Sequence, residues 1–557
     1  MIGALDSLWG DDYSPQSQTK EILNKISKPK KSITGDGLYS KIAAIKDNVY
    51  RILGIYKDNT ITIYDKQQLM DYIECGNRNG VIAVDTETDN SLDPLTCKLM
   101  GLCLYTPGQK NAYIPVNHIN LFTRERLSNQ LTEEDIKEAL CSIKDDTKVI
   151  MHNGKFDYQV IKCTTGYLTK CYWDTFIGSR LLNENERAAL KQQYINKIDP
   201  TIEKYSIEHL FEGLEYAIFE PELFALYAAT DSFMTYELYM WQKAQFEMTG
   251  NERLYWLFMN VEMPIVIVTA EMELTGVCID TEFAERLGEK YHKKLDVINA
   301  ELDVELSKLK DLVDAWRLTP EANYHPEKIV KGEKKFGKSK NEQLSDPINL
   351  TSPTQLAILL YDILKAKSVD PKQPRGTGED ILEKLDFPIC KKIIEQRGIL
   401  KLIGTYIDKL PKCINPKTNR VHASFLQLGA DTGRFSSKDP NLQNIPSKEK
   451  SIRMLFKASP GYTLVGSDFS QQEPRLLANF AQDDNMIGAY KQGKDLYATI
   501  AMQINHNDYW DNMEFTDETK TVPNPAGKER RSKVKSLMLG ELLHYAQIKR
   551  CEPLLWV

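Results

Sequence analysis

The sequence predicts a multidomain α/β protein: an α/β domain, then a long helical region, then a region of short strands and helices. Three observations predict it. The chain has 557 residues, more than one hydrophobic core supports, so several domains are expected. From Thr60, short β-rich runs are followed by helical stretches, the pattern of an α/β layer. From Glu252 the apolar period lengthens to that of helices, and strand-like residues return only near Val421.

Taken in order, residues 1–60 are polar, with Lys28, Lys30 and Lys31 around a proline, and read as a flexible extension of no assignable chemistry. Residues 61–250 form the α/β domain. Its expected strands are TITIYD, VIAVDTET, LMGLCLY, NAYIPV and KVIMHN, rich in β-branched and aromatic residues. Residues 251–410 are helical, as in YWLFMNVEMPIVIVTAEMEL, and are broken at Lys328–Lys340 by the basic, glycine-containing segment KIVKGEKKFGKSK. Residues 411–540 open with strand-like VHASFLQLG. A short strand, Tyr462–Val465, is then expected to deliver Asp468 to a polar turn before a helix carrying Glu473 and Arg475. Residues 541–557 form a tail.

Hydrophobic (42%) and charged (27%) fractions are those of an ordinary globular protein. A net charge of −7 gives no global nucleic-acid signal, although acids gathered in metal sites mask local basic grooves. Ten cysteines are scattered without a CxxC pair, which argues against a zinc site or a disulfide framework. Reduced thiols fit a cytoplasmic protein. The N-terminus lacks the basic start and apolar run of a secretory signal, and the apolar run Met263–Ala270 is too short to span a bilayer. A soluble, monomeric cytoplasmic protein is expected.

Three segments of the α/β domain carry chemistry. In VDTETD, Asp85 and Glu87 lie two apart on a strand and so face the same way. HNGKFD places Asn153 and Asp157 four apart, and YAATD does the same for Tyr227 and Asp231, so each pair is expected on one helical face. Three aspartates, a glutamate and a tyrosine hydroxyl suit two-metal phosphodiester hydrolysis, with ions roughly 4 Å apart. A lone DxE is usually a solvated strand end, so the weight rests on all three motifs in order. That order, DxE, NxxxD, YxxxD, resembles the 3′–5′ proofreading exonucleases of the DnaQ-like superfamily, which have an RNase H-like fold. The resemblance implies Asp85, Glu87, Asp157 and Asp231 as metal ligands, and Tyr227 as the residue that orients water. Asp174, in WDTF, is expected to order the scaffold.

Further on, HASFLQLGADTGRFSSKDPNLQNIP, LVGSDFSQQEPR and KERRSKVKSLMLG resemble the family A DNA polymerases, relatives of bacterial DNA polymerase I, of phage type. The likeness runs from about Glu262 to Gly540 and implies a right-hand polymerase with a helical thumb (251–410) and a partial palm and fingers (411–540). It also implies roles. Thr432, Arg434, Asn441, Gln443 and Asn444 would contact primer–template DNA, where acceptors common to every base pair are read. Asp468 would bind metal, and Glu473 would exclude a ribose 2′-OH. Arg531 and Lys535, on one helical face, would hold the triphosphate of a dNTP. The lysines of the Lys328–Lys340 segment would attract duplex phosphates without reading sequence.

Departures from the family pattern are Phe469 for tyrosine, Pro474 for leucine, and Leu539 at a position often aromatic. After Gly540, Leu543 and His544 stand where the family has Tyr-Gly, and no His-Asp-Glu turn supplies a second palm carboxylate. The expectation is a C-terminally truncated replicative polymerase whose residues 541–557 lie outside the family pattern. Polymerisation would be lost and exonuclease activity kept. Expected partners are primer–template DNA, single-stranded DNA 3′ ends and dNTPs, with Mg²⁺ (or Mn²⁺) as cofactor and no membrane. The alternatives are a stand-alone 3′–5′ exonuclease with the polymerase remnant as a DNA-holding scaffold, and a non-catalytic DNA-binding factor.

Overall fold

A computed structural model of the chain describes residues 35–330, 333–430, 432–446 and 449–549. The chain divides into two compact units that meet between Tyr462 and Thr463. No helix among the described residues is long and apolar enough to cross a membrane.

The first unit opens with helix α1 (Gly35–Leu53), and this corrects one expectation. Ile45, Val49 and Leu53, spaced as one helical stripe, are fully buried in a cluster with Phe224 and Ala228. Burial of such side chains stabilises by about 1.5–3 kcal/mol each. Residues 35–59 are therefore part of the α/β layer, not a flexible extension; residues 1–34 lie outside the described residues.

A six-stranded sheet follows, built from β1 (Thr60–Thr62), β2 (Val81–Thr88), β3 (Leu99–Tyr105), β4 (Asn111–Pro115), β5 (Lys148–Met151) and β6 (Trp173–Asp174). The spatial order is β1-β4-β3-β2-β5-β6. β2 runs antiparallel to β3 and parallel to β5, so it is a central strand with buried neighbours on both sides. Its alternation sorts its faces. Ile82 and Val84 pack with α2 (Lys66–Asn79) and α3 (Glu133–Cys141), while Asp85 and Glu87 point the opposite way. Helix α2 feeds β2 directly: Asp65 caps its start by accepting from the Gln68 amide, and Gly80, at φ 67°, ends it in the left-handed region.

Helix α4 (Gly154–Thr165) starts immediately after β5. A Cβ on Gly154 would lie 2.8 Å from the Met151 side chain and 2.9 Å from the Cys171 sulfur, so only glycine fits this turn. Asp174 accepts from the amides of Asn153 and Gly154 and also caps α5 (Thr175–Leu182), tying both helix starts to the sheet end. After α6 (Leu190–Lys197) comes the 26-residue α7 (Pro221–Phe246), which is buried over most of its surface and covers the Asp85 face.

Helices α8 (Met263–Thr275), α9 (Thr281–Lys308) and α10 (Pro388–Leu402) make up the helical region; α9 and α10 share one core through Tyr291, Ile298, Ile389 and Ile393. The segment expected as a basic break forms a hairpin, β7 (Glu327–Val330) with β8 (Glu333–Phe336). The two strands read EKIV and EKKF, each ending on an apolar residue; Lys331 and Gly332 lie outside the described residues. Further on, β9 (Ser424–Leu426) pairs antiparallel with β10 (Ser436–Lys438).

The second unit is helical, with α11 (Gln472–Ala481), α12 (Leu496–Asn505) and α13 (Pro525–Lys549). The expected strand at Tyr462–Val465 is absent: residues 462–469 have no regular structure. Val465 is 88% exposed, and among the described residues no strand hydrogen-bonds to this stretch, so its apolar residues have neither ladder nor core to join. The tail expected at 541–557 continues α13 as far as Lys549, and residues 550–557 lie outside the described residues.

Candidate active site

Asp85, Glu87, Asp157 and Asp231 are electrostatic neighbours on one side of β2. Asp85 and Glu87 share the strand face that looks toward α7, and β3 pairs Cys103 directly opposite Asp85. Ligand atoms of Asp85, Glu87 and Cys103 all lie within 4.8 Å of one another. Tyr227 and Asp231, one turn apart on α7, face the same place. Asp157 enters from the first turn of α4; its Oδ1 accepts from the Thr86 amide (2.9 Å) and the Thr86 hydroxyl (2.7 Å). Asn153 is not on a helix face with Asp157. It precedes the helix at φ 60°, because the chain must turn sharply out of β5.

Burial and mutual repulsion dominate the electrostatics. Desolvation, then the neighbouring charges of Asp157, Glu87 and Asp231, push the Asp85 carboxyl far above the ordinary carboxylate range. Glu87 is pushed up to about 8 by desolvation and the Asp231 charge, against the pull of Lys191. Asp157 rises to about 7 through desolvation, opposed by its Thr86 hydrogen bonds. Asp231 is also raised by burial, and Lys191 and the Tyr227 hydroxyl draw it back. Burial pushes the Tyr227 phenol well above its usual range, so it keeps its proton at neutral pH.

These residues fit divalent cations. Asp231 is 8% exposed, and its Oδ1 is buried with no hydrogen-bond partner in the structure. A buried carboxylate oxygen without a donor is costly, and a cation removes the cost. Oxygen donors of this kind suit hard ions such as Mg²⁺ or Mn²⁺. Two members of the site escaped sequence reasoning. Cys103 is revealed only by the β2–β3 register. Lys191 is one basic residue of ENERAALKQQY, and only the packing of α6 on α7 brings its ammonium to Asp231 (2.6 Å) and the Tyr227 hydroxyl (3.1 Å).

The polymerase-like residues fall in two places. Thr432 and Arg434 lie in the exposed loop joining β9 and β10, where Gly433 takes φ 74°. Asn441, Gln443 and Asn444 are exposed beyond β10, in a turn fixed by Asn441 Oδ1, which accepts from the Gln443 and Asn444 amides (3.0 and 3.2 Å). In the second unit Asp468 and Glu473 are exposed, and Pro474 is buried in the first turn of α11, where proline costs no backbone hydrogen bond. Among the described residues Asp468 belongs to no close group of three or more metal-ligating side chains, and Asp157 and Asp231 likewise lie outside the Asp85, Glu87 and Cys103 group. Arg531 is half-buried and held by Asp495 (2.8 Å), which also accepts from Gln471; Lys535 is exposed on the same helix. Asp495 and Gln471 were not singled out by the sequence.

Residues 60–243 match the sequence profile described as 3′-5′ exonuclease, and residues 324–522 match that described as DNA polymerase family A. Fold and site thus define a nuclease domain joined in one chain to polymerase sequence. Among its relatives, DNA polymerase I of Chloroflexus aurantiacus is 30% identical over 463 residues, covering 79% of this chain and 43% of the relative. DNA polymerase I of Treponema pallidum is 29% identical over 483 residues, covering 79% and 44%. The thermostable DNA polymerase I of Thermus thermophilus is 35% identical over 260 residues, covering 45% and 27%. A solved structure, the POL domain of Pol1 from M. smegmatis in complex with DNA primer-template and dNTP, shares the fold at TM-score 0.61 and 20% identity, covering 86% of this chain and 71% of that one. The chain belongs to the family A DNA polymerases and carries a 3′–5′ exonuclease domain. It spans less than half the length of these curated relatives.

Proposed function

We propose that this chain removes nucleotides from DNA 3′ ends by divalent-metal-dependent phosphodiester hydrolysis, as the proofreading activity of a replicative family A DNA polymerase. The observation that carries the reading is the group of Asp85, Glu87 and Cys103 on the face of β2 that α7 covers, together with the buried, partnerless Oδ1 of Asp231 on α7. In this reading residues 61–250 are the nuclease, 251–410 the thumb and 411–540 the palm and fingers, working in a bacterial or phage-infected cytoplasm.

Asp85, Glu87, Asp157 and Asp231 would hold two ions, Mg²⁺ or Mn²⁺. When bound, such ions activate the attacking water and stabilise the leaving 3′ oxygen. The chain's own residues do the rest. Burial keeps the Tyr227 hydroxyl protonated, so it orients water as a hydrogen-bond partner and does not serve as a base. Thr86 fixes the Asp157 carboxylate through two donors, so that ligand needs no reordering when a cation arrives.

For the polymerase half, Thr432, Arg434, Asn441, Gln443 and Asn444 are read as contacts to primer–template DNA. Glu473, Arg531 and Lys535 are read as contacts to a dNTP, and Asp468 as a metal ligand. Asp468 is exposed and lies in irregular backbone, whereas Asp231 is 8% exposed on a long helix. That favours a second reading in which this chain by itself degrades 3′ ends but does not extend primers, its polymerase half serving to hold DNA.

With Mg²⁺, 3′-labelled single-stranded DNA is expected to be degraded, and Asp85→Ala together with Glu87→Ala to abolish it. Undiminished degradation by that double variant rejects the site. Incorporation of dNTPs by the unaltered chain rejects the second reading and leaves the first standing.

A further inference from the structure

The acidic site contains a cation of its own. Lys191 lies in the first turn of α6, and its ammonium donates to Asp231 Oδ2 (2.6 Å) and to the Tyr227 hydroxyl (3.1 Å). It sits 4.3 Å from the Tyr227 ring centroid and 5.3 Å from that of Tyr205. The pair is largely shielded, with side chains 19% and 12% exposed, so it is screened far less than a surface ion pair. Four acids converge here, and Lys191 is the cation that opposes the charges of Asp85, Glu87 and Asp231 alike. One oxygen of Asp231 is thereby taken by the chain itself, while the other has no partner.

That division has a consequence for metal binding. A divalent ion that needs Asp231 must displace or share the ammonium, so the apparent affinity is reduced by the fraction of time Lys191 holds the carboxylate. An ammonium pushed off Asp231 stays tethered beside Tyr227, on a flexible stem against two aromatic rings. The anion that next enters this site, on the nuclease reading, is a DNA phosphate. We propose that Lys191 is a built-in counter-cation of the nuclease site: it holds Asp231 and Tyr227 in the metal-free chain, competes with the metal for Asp231, and contacts the phosphate of the 3′-terminal nucleotide once displaced. This rests on the proposed nuclease site, and the experiment separates the two.

Lys191→Met keeps the apolar stem against the rings and removes the charge; Lys191→Arg keeps a charge. Mn²⁺ binding to the metal-free full chain is read from the electron paramagnetic resonance of free Mn²⁺, with thermal unfolding as a check on folding. Degradation of 3′-labelled single-stranded DNA is measured at saturating Mn²⁺. Lys191→Met is expected to bind Mn²⁺ about fivefold more tightly. It is also expected to degrade DNA about tenfold more slowly, as loss of a phosphate-binding cation requires. Lys191→Arg should recover much of the rate. A purely structural lysine would loosen the site and weaken Mn²⁺ binding; that result, or unchanged affinity, overturns the proposal. An unchanged rate overturns its phosphate half. Wild-type Mn²⁺ binding by the Asp85→Ala, Glu87→Ala chain would show instead that the metal site lies elsewhere, and both readings fall.

Discussion

Asp231 and Asp468 carry the same kind of expectation, a carboxylate for a metal, in opposite surroundings. Asp231 is 8% exposed on a 26-residue helix packed against a sheet, with its partners fixed by β2, α4 and α6. Asp468 is exposed in irregular backbone, beside Phe469 at 80% exposure. Carboxylates repel one another, so a cluster of them persists only where a core has already fixed the elements that carry them. The first unit supplies that core around its acids. Around Asp468 the second unit supplies none among the described residues.

The largest effect that would sharpen this comparison is on nuclease rate. Asp157→Ala removes a ligand held by two donors from Thr86 and is expected to cost about a thousandfold in 3′-end degradation. Asp468→Ala should leave that rate within about twofold, as a change without shared partners does. Similar losses in the two variants would erase the distinction between a built and an unbuilt carboxylate.

Next comes stability, where each unit has a shielded ion pair to break. In the first, Glu273 of α8 accepts from Lys155 (2.7 Å), Gln159 (2.7 Å) and the Phe425 amide (2.5 Å), and the pair's side chains are only 17% and 11% exposed. Glu273→Ala leaves Lys155 with the Phe425 carbonyl (2.6 Å) but no counter-charge, removes the acceptor of the Phe425 amide, and is expected to cost about 3 kcal/mol in chemical denaturation. In the second, Asp495→Ala strands Arg531, which also has Glu514 at 3.6 Å and the Tyr497 ring to fall back on, so about 1.5 kcal/mol is expected. A larger loss for Asp495→Ala would mean that the second unit is the better-braced one.

The sequence was most legible where local pattern and chemistry coincide. Strand alternation alone puts Asp85 and Glu87 on one face, and helical spacing puts Tyr227 with Asp231. It was least legible where a role depends on which elements meet. Cys103 enters the site through strand register, and Lys191 through the packing of one short helix. Ile45, Val49 and Leu53 show helical spacing, but the polar residues around them masked it. Tyr462–Val465 reads as a strand because apolar residues follow one another, yet strand formation needs a partner that sequence cannot guarantee. Asn153 has the right spacing for a helix face and sits instead in a turn that only the left-handed region allows.

A further effect concerns the charge stored in the first site. Desolvation raises Glu87 from 4.5 to about 8 and Asp157 from 3.8 to about 7 in the metal-free fold. Over that window the folded chain holds protons that the unfolded chain has released, so the stability of the metal-free protein falls as pH rises. Below the unfolded values both states are protonated and the effect vanishes; above about 8 both are ionised and the penalty stays constant. The melting temperature of EDTA-treated protein is therefore expected to decline between about pH 5 and about pH 8, with a shallower decline in Glu87→Gln. Added Mg²⁺ should raise it most at the alkaline end, where the acids are ionised and free to bind. An EDTA-treated protein equally stable across that range, or a Glu87→Gln slope identical to wild type, would mean that these carboxylates are not held together against their own repulsion. Asp231 would then be no more built into a site than Asp468.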